Sequence, residues 1–326
     1  MTARARMLAA GAGCLAAATV VYVVAVRTFT GQAVENVAMD GHPEDKWWRV
    51  RPVADRMGIV ASLLVAAGVV AVVTWAWRRG SWQRALAVAA SIATSAALAE
   101  ALKLWVLTRP GLVAVGERAY LAPNTFPSGH TAAVVAVALA AVALAPPARR
   151  LPVALAGGAY AALVELVLLG GEAHRPADAV GAALVSTAVG LGAIALVTSW
   201  ACGPDAPESP EPGALTGQAG RTGPLVSTAG TPGRVALAVE APGADRRDGR
   251  GRPDRSAIAV LAAAGTLAVL ALVVAAWVVA LAVADGPLTT LDVDAARVLG
   301  GVMVAVVSLA SALGFAWLIR DVRLPT

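Results

Sequence analysis

Three short polar clusters interrupt an otherwise apolar chain, and their residue types could bind and transfer a phosphoryl group. The chain of 326 residues has only two lysines and three histidines, so the positions of these residues are informative. The clusters are Lys103 with Arg109-Pro110, Pro127-Ser128-Gly129-His130, and His174 with Asp178. Ionisable residues in or beside apolar segments are costly to retain, which makes all three clusters functional candidates.

The third cluster has the residues of an activated nucleophile. Pro176 suits the first turn of a helix and pushes Arg175 toward an extended conformation. His174 then lies just outside the helix, and Asp178 lies within its first turn. Asp178 can accept the proton on the imidazole Nδ1 atom, which leaves Nε2 of His174 free as a nucleophile.

The other two clusters have the residues of an anion site. Ser128 and Gly129 begin a helix whose free N–H groups and dipole attract an anion. Lys103 supplies a point charge and Arg109 a planar fork for phosphate oxygens. His130 can donate a proton to a leaving oxygen. Together the clusters predict phosphoryl transfer without a metal, in which positioning and charge stabilisation do most of the catalysis.

Each cluster taken alone also has a purely structural interpretation. Lys103 could pair with Glu100 one helical turn earlier, or extend to the membrane interface. Residues 127–129 could be only a turn and a helix start. His174 and Asp178 could form a local hydrogen-bonded pair. The convergence of one lysine and two histidines favours the functional interpretation over three separate coincidences.

The composition requires a solvent other than water. Hydrophobic residues make up 58% of the chain and charged residues 14%, whereas charged residues are about 25% of soluble domains. Unbroken apolar runs indicate helices rather than the alternating strands of a barrel. We therefore predict an all-α, polytopic membrane bundle of about eight transmembrane helices. The predicted spans are Met7–Val26, Met57–Trp77, Ala85–Leu107, Gly129–Pro146, Leu151–Gly171, Ala177–Cys202, Ala257–Ala284 and Val298–Ile319. The first could instead be a signal peptide, but its length favours a retained span.

The chain divides into three parts. Residues 1–202 hold six spans, and residues 256–326 hold two more spans and a short tail. Between them, residues 203–255 are rich in Pro, Gly, Ser, Thr, Asp and Arg, which predicts a disordered cytoplasmic linker.

Basic residues predict the orientation in the membrane. With a cytoplasmic N-terminus, sixteen of the 26 basic residues lie inside and nine outside. The first outer loop holds five of those nine, which its acidic residues, including Glu35, neutralise. The net charge of +5 is thus interpreted as an orientation signal, and no nucleic-acid partner is expected. Because the chain returns between the clusters, all three lie on the extracytoplasmic face.

The clusters resemble the motifs of the type-2 phosphatidic-acid phosphatase superfamily, which includes lipid phosphatases and vanadium haloperoxidases, and in particular its bacterial membrane branch. The most specific element is Asn124-Thr125-Phe126-Pro127-Ser128-Gly129-His130-Thr131, which is similar to the central motif of the family without alteration. The resemblance implies a six-helix phosphatase-like core.

The resemblance also implies roles for the site residues. His174 would be the nucleophile that forms a phosphohistidine, Asp178 its orienting partner and His130 the general acid. The phosphate would be held by Lys103, Arg109, Ser128 and Gly129. No metal or other cofactor is implied.

The function that the resemblance implies is hydrolysis of a lipid phosphate or diphosphate, phosphatidate-like or polyprenyl, at the outer face of the plasma membrane. The partners would be this lipid and the bilayer. The alternative is a non-enzymatic lipid-phosphate binder or transporter with a degenerate site. Haloperoxidase chemistry is disfavoured because those relatives are soluble.

Two departures from the family pattern affect this expectation. Five residues rather than six separate Lys103 from Arg109, which on a continuous helix turns Arg109 away by about a third of a turn. The helix must therefore end before Arg109, as Pro110 favours. Leu168 stands where the family usually has an arginine, which predicts reduced or altered activity unless Arg175 replaces that charge. Glu165, inside the fifth span, requires a partner that the sequence does not identify.

Overall fold

A computed structural model describes residues 2–39, 47–79, 82–113, 124–170, 174–201 and 290–322. The helices are α1 (Ala3–Val21), α2 (Phe29–Met39), α3 (Trp47–Arg79), α4 (Trp82–Ala101), α5 (Gly129–Leu144), α6 (Arg150–Gly170), α7 (Pro176–Ala201) and α8 (Thr290–Leu318). One wider π-helical turn extends α1 over Tyr22–Val26 and α4 over Leu102–Val106, and a short 3₁₀ turn, Pro147–Arg149, precedes α6. These ranges contain no strand, which confirms the all-α prediction.

Six of the described helical segments are long and apolar enough to cross a membrane. They are Ala3–Val26, Arg56–Arg79, Trp82–Val106, Pro147–Gly170, Pro176–Val197 and Val298–Leu318. The predicted span Gly129–Pro146 is α5, a shorter apolar helix of 16 residues that is about 24 Å long. The predicted span Ala257–Ala284 and the linker 203–255 lie outside the described residues. The count of about eight therefore stays a prediction.

Helix α5 lies at the centre of the bundle, and ten of its 16 residues are buried. Small residues let its neighbours approach closely, as is usual where helices pack in a membrane. A Cβ added at Gly157 of α6 would lie 3.1 Å from Cβ of Ala138 on α5. A Cβ added at the adjacent Gly158 would lie 3.0 Å from Cα of Leu309 on α8. Gly157 and Gly158 thus allow α5 and α8 to pack closely against two faces of α6.

Polar contacts attach α8 to the rest of the bundle. Arg150 is buried at the start of α6 and donates to the carbonyl oxygens of Ile319 and, at 2.9 Å, Val322. In the middle of the bundle, Ser308 of α8 donates to the carboxyl group of Glu165. Ser308 is therefore the partner of Oε2 of Glu165, whereas the buried Oε1 has none among the described residues.

Helix α2 lies between the first two predicted spans, in a segment that we predict to be a loop. Its residues Gln32 and Glu35 are 2% and 1% exposed. Both contact backbone at the end of the bundle where α7 begins. Glu35, one of the acidic residues predicted to neutralise this loop, is therefore buried.

Candidate active site

The three polar clusters meet at one end of the bundle. The rings of His130 and His174 have centroids 5.8 Å apart. The amide of Ser128 donates to the carbonyl oxygen of Asp178 at 3.1 Å, which joins the start of α5 to the start of α7. The convergence that the spacing of the apolar segments predicts is therefore present.

The end of α4 presents the first cluster to this site. After the wide turn Leu102–Val106, Leu107 is extended, with φ −95° and ψ 128°. The helix thus ends before Arg109, which confirms the prediction from the shortened spacing. Asn124 holds this end by donating Nδ2 to the carbonyl oxygens of Lys103 at 3.0 Å and Leu107 at 2.6 Å. These bonds satisfy carbonyls that a helix end otherwise leaves without partners.

Arg109 presents the donors that phosphate oxygens require. Its Nη1 and Nη2 atoms are buried and have no hydrogen-bond partner within the described part of the chain. Burial lowers the pKa of Arg109, and the positive charge of Arg175 lowers it further. The guanidinium nevertheless stays charged at neutral pH. A buried cationic fork without a partner is costly unless an anion enters, so this group fits the predicted role of Arg109.

His174 stands apart from its predicted partner in this structure. Its Nδ1 atom is buried and accepts or donates no hydrogen bond among the described residues. Asp178 instead uses Oδ2 to accept from Thr125 Oγ1 at 2.6 Å and from the amide of Arg175 at 2.9 Å. The bond to Arg175 is a capping-box contact at the start of α7. Oδ1 of Asp178 is also buried and has no partner among the described residues. Nδ1 of His174 and Oδ1 of Asp178 are therefore both available for the predicted hydrogen bond between these residues.

The protonation state of His174 suits a nucleophile. Burial lowers the pKa of His174 to about 4, and the charges of His130 and Lys103 act in the same direction, while Asp178 opposes them. The imidazole is therefore neutral at pH 7 and keeps a lone pair for attack.

His130 is exposed and its Nε2 atom lies 3.2 Å from Oγ of Ser62 on α3. The Ser62 hydroxyl donates its own proton to the carbonyl oxygen of Gly58 at 2.9 Å. While the hydroxyl makes that bond, the contact with His130 requires a proton on Nε2, with the serine oxygen as acceptor. A proton-bearing Nε2 is what a general acid needs.

Ser128 acts here as the N-cap of α5. Its Oγ atom accepts from the amide of Thr131 at 3.2 Å, and the residue is fully buried. Because its own amide is bonded to Asp178, Ser128 positions the helix start. The amides of Gly129 and His130 receive no acceptor from the described residues and remain for an anion.

Lys103 is paired with Glu100, as the structural interpretation of that cluster predicts. Its Nζ atom lies 2.7 Å from Oε1 and 2.6 Å from Oε2 of Glu100. An ammonium group has three donors, so this pairing still leaves capacity for a phosphate oxygen. Lys103 can therefore take both roles.

Arg175 lies in the interior. It is 2% exposed and donates Nη1 to Oγ1 of Thr125 at 2.9 Å. Leu168, at the position of the missing arginine, is buried in the apolar core. Nη1 of Arg175 is thus bound to a threonine, whereas neither Nη atom of Arg109 has a partner among the described residues.

Helix α2 contributes residues that the sequence analysis did not place at the site. Gln32 donates Nε2 to the carbonyl oxygen of Pro110 at 2.5 Å, and its Oε1 accepts from the amide of Leu112 at 3.2 Å. Glu35 accepts from the amide of Ala177 at 3.3 Å, at the start of α7. Their i,i+3 spacing, which puts both on one helical face, is the signal that could have indicated a shared role.

The ionisation of Glu35 is coupled to the site. Burial raises the pKa of Glu35 to about 8, and the charge of Asp178 contributes, while the positive charges of Arg109 and Arg175 oppose the shift. The carboxyl group is therefore mostly protonated at pH 7, although it lies within electrostatic reach of the two arginines.

These features describe an all-helical protein with apolar, membrane-length helices, in which a buried arginine fork and a neutral histidine lie at the same end of the bundle. The model of the PAP2 superfamily matches residues 84–201, from the start of α4 to the end of α7. This match covers 118 of the 326 residues, and it confirms the resemblance drawn from the three motifs. Members of this superfamily generally hydrolyse phosphate esters. Neither the curated proteins nor the solved structures compared with the chain gave a match.

Proposed function

We propose that this protein is an integral-membrane phosphatase that hydrolyses a lipid phosphate or diphosphate through a phosphohistidine intermediate. One observation carries the proposal: the fork of Arg109, which has no partner among the described residues at either Nη atom, is located at the same end of the bundle as His174, whose low pKa keeps it neutral. An anion would satisfy the fork and place phosphorus beside the nucleophile.

The proposed reaction has two steps and uses no group beyond the substrate, water and these side chains. Nε2 of His174 attacks phosphorus and the bond from phosphorus to the lipid oxygen breaks, while His130 donates a proton to that oxygen. Water then attacks the phosphohistidine, the N–P bond breaks, and His130 accepts the proton from water. Asp178 stabilises the cationic imidazole once its Oδ1 turns to Nδ1 of His174.

We place the reaction at the extracytoplasmic face of the plasma membrane. Basic residues lie at the end opposite to the site: Arg6 is 4.0 Å from Asp321, and Arg79, Arg84 and Arg150 line a cavity of about 670 Å³ around the end of α5. None of the predicted site residues lines this cavity. Cytoplasmic ends of membrane helices are enriched in Arg and Lys, which supports the orientation. Labelling of Ala122→Cys by an impermeant reagent in intact cells should succeed, and protection there would reverse the orientation.

The proposal is tested by phosphate release from phosphatidate and from a polyprenyl diphosphate in detergent. Wild-type protein should release phosphate, and His174→Ala should abolish release at an unchanged melting temperature. With labelled substrate, an acid-labile and base-stable phosphoenzyme should accumulate on wild type alone. Equal release by wild type and His174→Ala would reject the mechanism.

A non-enzymatic lipid-phosphate binder is the second hypothesis. It is favoured by two observations, the apolar Leu168 in place of an arginine and the absence of a bond between His174 and Asp178. Loss of one phosphate-binding donor costs roughly 3–4 kcal/mol of transition-state stabilisation. Binding without release, retained in His174→Ala and lost in Arg109→Ala, would support the binder and reject the phosphatase.

A further inference from the structure

Glu100 brings a negative charge into the group of residues that would bind phosphate. Both of its carboxylate oxygens contact the ammonium group of Lys103, at 2.6 and 2.7 Å. A Cβ added at Gly129 would collide with Oε1 of Glu100, so the carboxylate lies against the first residue of α5. Glu100 therefore occupies space between the lysine and the helix start.

The carboxylate of Glu100 lies at the start of α5, a position that favours anions. The start of a helix carries unpaired N–H groups and the positive end of the dipole. Glu100 shares that electrostatic environment with the phosphate group that the proposed function brings to the site. Its charge also reaches the histidine cluster, because it acts on the pKa of His174, which it raises.

The charge balance of the cluster follows from these contacts. Lys103 is neutralised by Glu100, and Arg175 is bound to Thr125 within the buried network. Among the described residues, both Nη donors of Arg109 lack partners, whereas Arg175 lacks a partner only at Nε. The site is thus suited to a ligand of low negative charge.

We propose that Glu100 sets a limit on the charge of the substrate, so that the site prefers a single phosphate group to a diphosphate. This inference rests on the proposed function, because it names the substrate class of the same site. A diphosphate carries at least one more negative charge than a monoester, and that charge is repelled by the carboxylate of Glu100.

The size of the effect follows from Coulomb's law. The side chain of Glu100 is 44% exposed, so a dielectric close to that of water applies. At a separation of about 5 Å, one unit of ligand charge then changes affinity about fourfold. Removal of the carboxylate charge should therefore shift the preference toward diphosphate by at least about fourfold.

The test is isothermal titration of full-length protein in detergent with inorganic phosphate and with pyrophosphate. The measured quantity is the ratio of the Kd for pyrophosphate to the Kd for phosphate. In Glu100→Gln this ratio should fall at least about fourfold, whereas Glu100→Asp, which keeps the charge, should stay near wild type. Asp321→Asn is the matched control, because it removes one negative charge at the opposite end of the bundle.

The outcomes separate the two proposals. The role of Glu100 would be overturned if the ratio in Glu100→Gln equalled that of wild type, or if Asp321→Asn lowered the ratio equally. The phosphate site would still be supported in that case, provided that wild type binds phosphate and Arg109→Ala does not. Binding of neither anion by wild type would overturn the phosphate site and the role of Glu100 together.

Discussion

Thr125 connects two buried charges at the start of α7, and its removal should destabilise the protein. Its hydroxyl donates to Oδ2 of Asp178 at 2.6 Å and accepts from Nη1 of Arg175 at 2.9 Å. Thr125→Val keeps the shape of the side chain and removes both bonds. Oδ1 of Asp178 and Nε of Arg175 already lack partners among the described residues, so each charged group would lose further compensation.

The expected loss of stability follows from the type of bond. A hydrogen bond to a charged group contributes about 1.5–3 kcal/mol. The two losses are not independent, because Asp178 and Arg175 can turn toward each other once the hydroxyl is absent. We therefore expect a loss of about 2–3 kcal/mol in the free energy of unfolding. For a chain of this size the melting temperature should fall by roughly 4–12 °C.

A second buried threonine provides the control. Thr187 of α7 is 5% exposed and donates Oγ1 to the carbonyl oxygen of Ala183 at 2.8 Å, one helical turn earlier. That contact joins no charged group, so Thr187→Val should cost less than about 1 kcal/mol. Thermal unfolding of both variants in the same detergent makes the comparison. Equal melting temperatures for the two variants would refute the charged network around Thr125.

Two further predictions concern the chemistry of the site. Because the pKa of Glu35 is raised from 4.5 to about 8, its carboxyl group is neutral below pH 8 and ionises above it, where it competes with phosphate for Arg109. Phosphate affinity measured by titration calorimetry should fall above pH 8 in wild type but not in Glu35→Gln. If the affinity falls equally in both proteins, a group other than Glu35 causes the pH dependence. Ser62→Ala removes the acceptor of His130 Nε2, so kcat for phosphate release should fall about fivefold, with the melting temperature unchanged because Ser62 is exposed. An unchanged kcat would show that Ser62 does not orient the general acid.

Rules of local backbone geometry were enough to predict which helix ends hold the three polar clusters. A chain that crosses the membrane must return, so clusters at alternate ends of successive spans meet on one face. Pro110 and Pro176 mark a helix end and a helix start, and the structure has α4 ending before Arg109 and α7 starting at Pro176. These predictions depend on backbone geometry near each residue, which the sequence specifies directly.

Contacts between distant segments explain what the sequence did not predict. Gln32 and Glu35 lie in a polar stretch that resembles a solvated loop, and they are buried because they bind backbone 78 and 142 residues away, at Pro110 and Ala177. The bonds of Asp178 are a second case. Spacing places its carboxylate near His174, but the amide of Arg175 and the hydroxyl of Thr125 compete for the same oxygen. Such a competition is decided by tertiary geometry and not by spacing.

The apolar Leu168, at the position where the resemblance implies an arginine, is consistent with the way the other cations are used. With Lys103 paired to Glu100 and Arg175 bound to Thr125, the affinity for phosphate depends mainly on Arg109 and on the amides at the start of α5. Backbone amides and one guanidinium match the oxygens of a single phosphate group. A second phosphate would need further cations, and Leu168, an apolar side chain in the core, supplies none. The apolar residue at this position and the carboxylate of Glu100 therefore act in the same direction, toward a substrate of low charge.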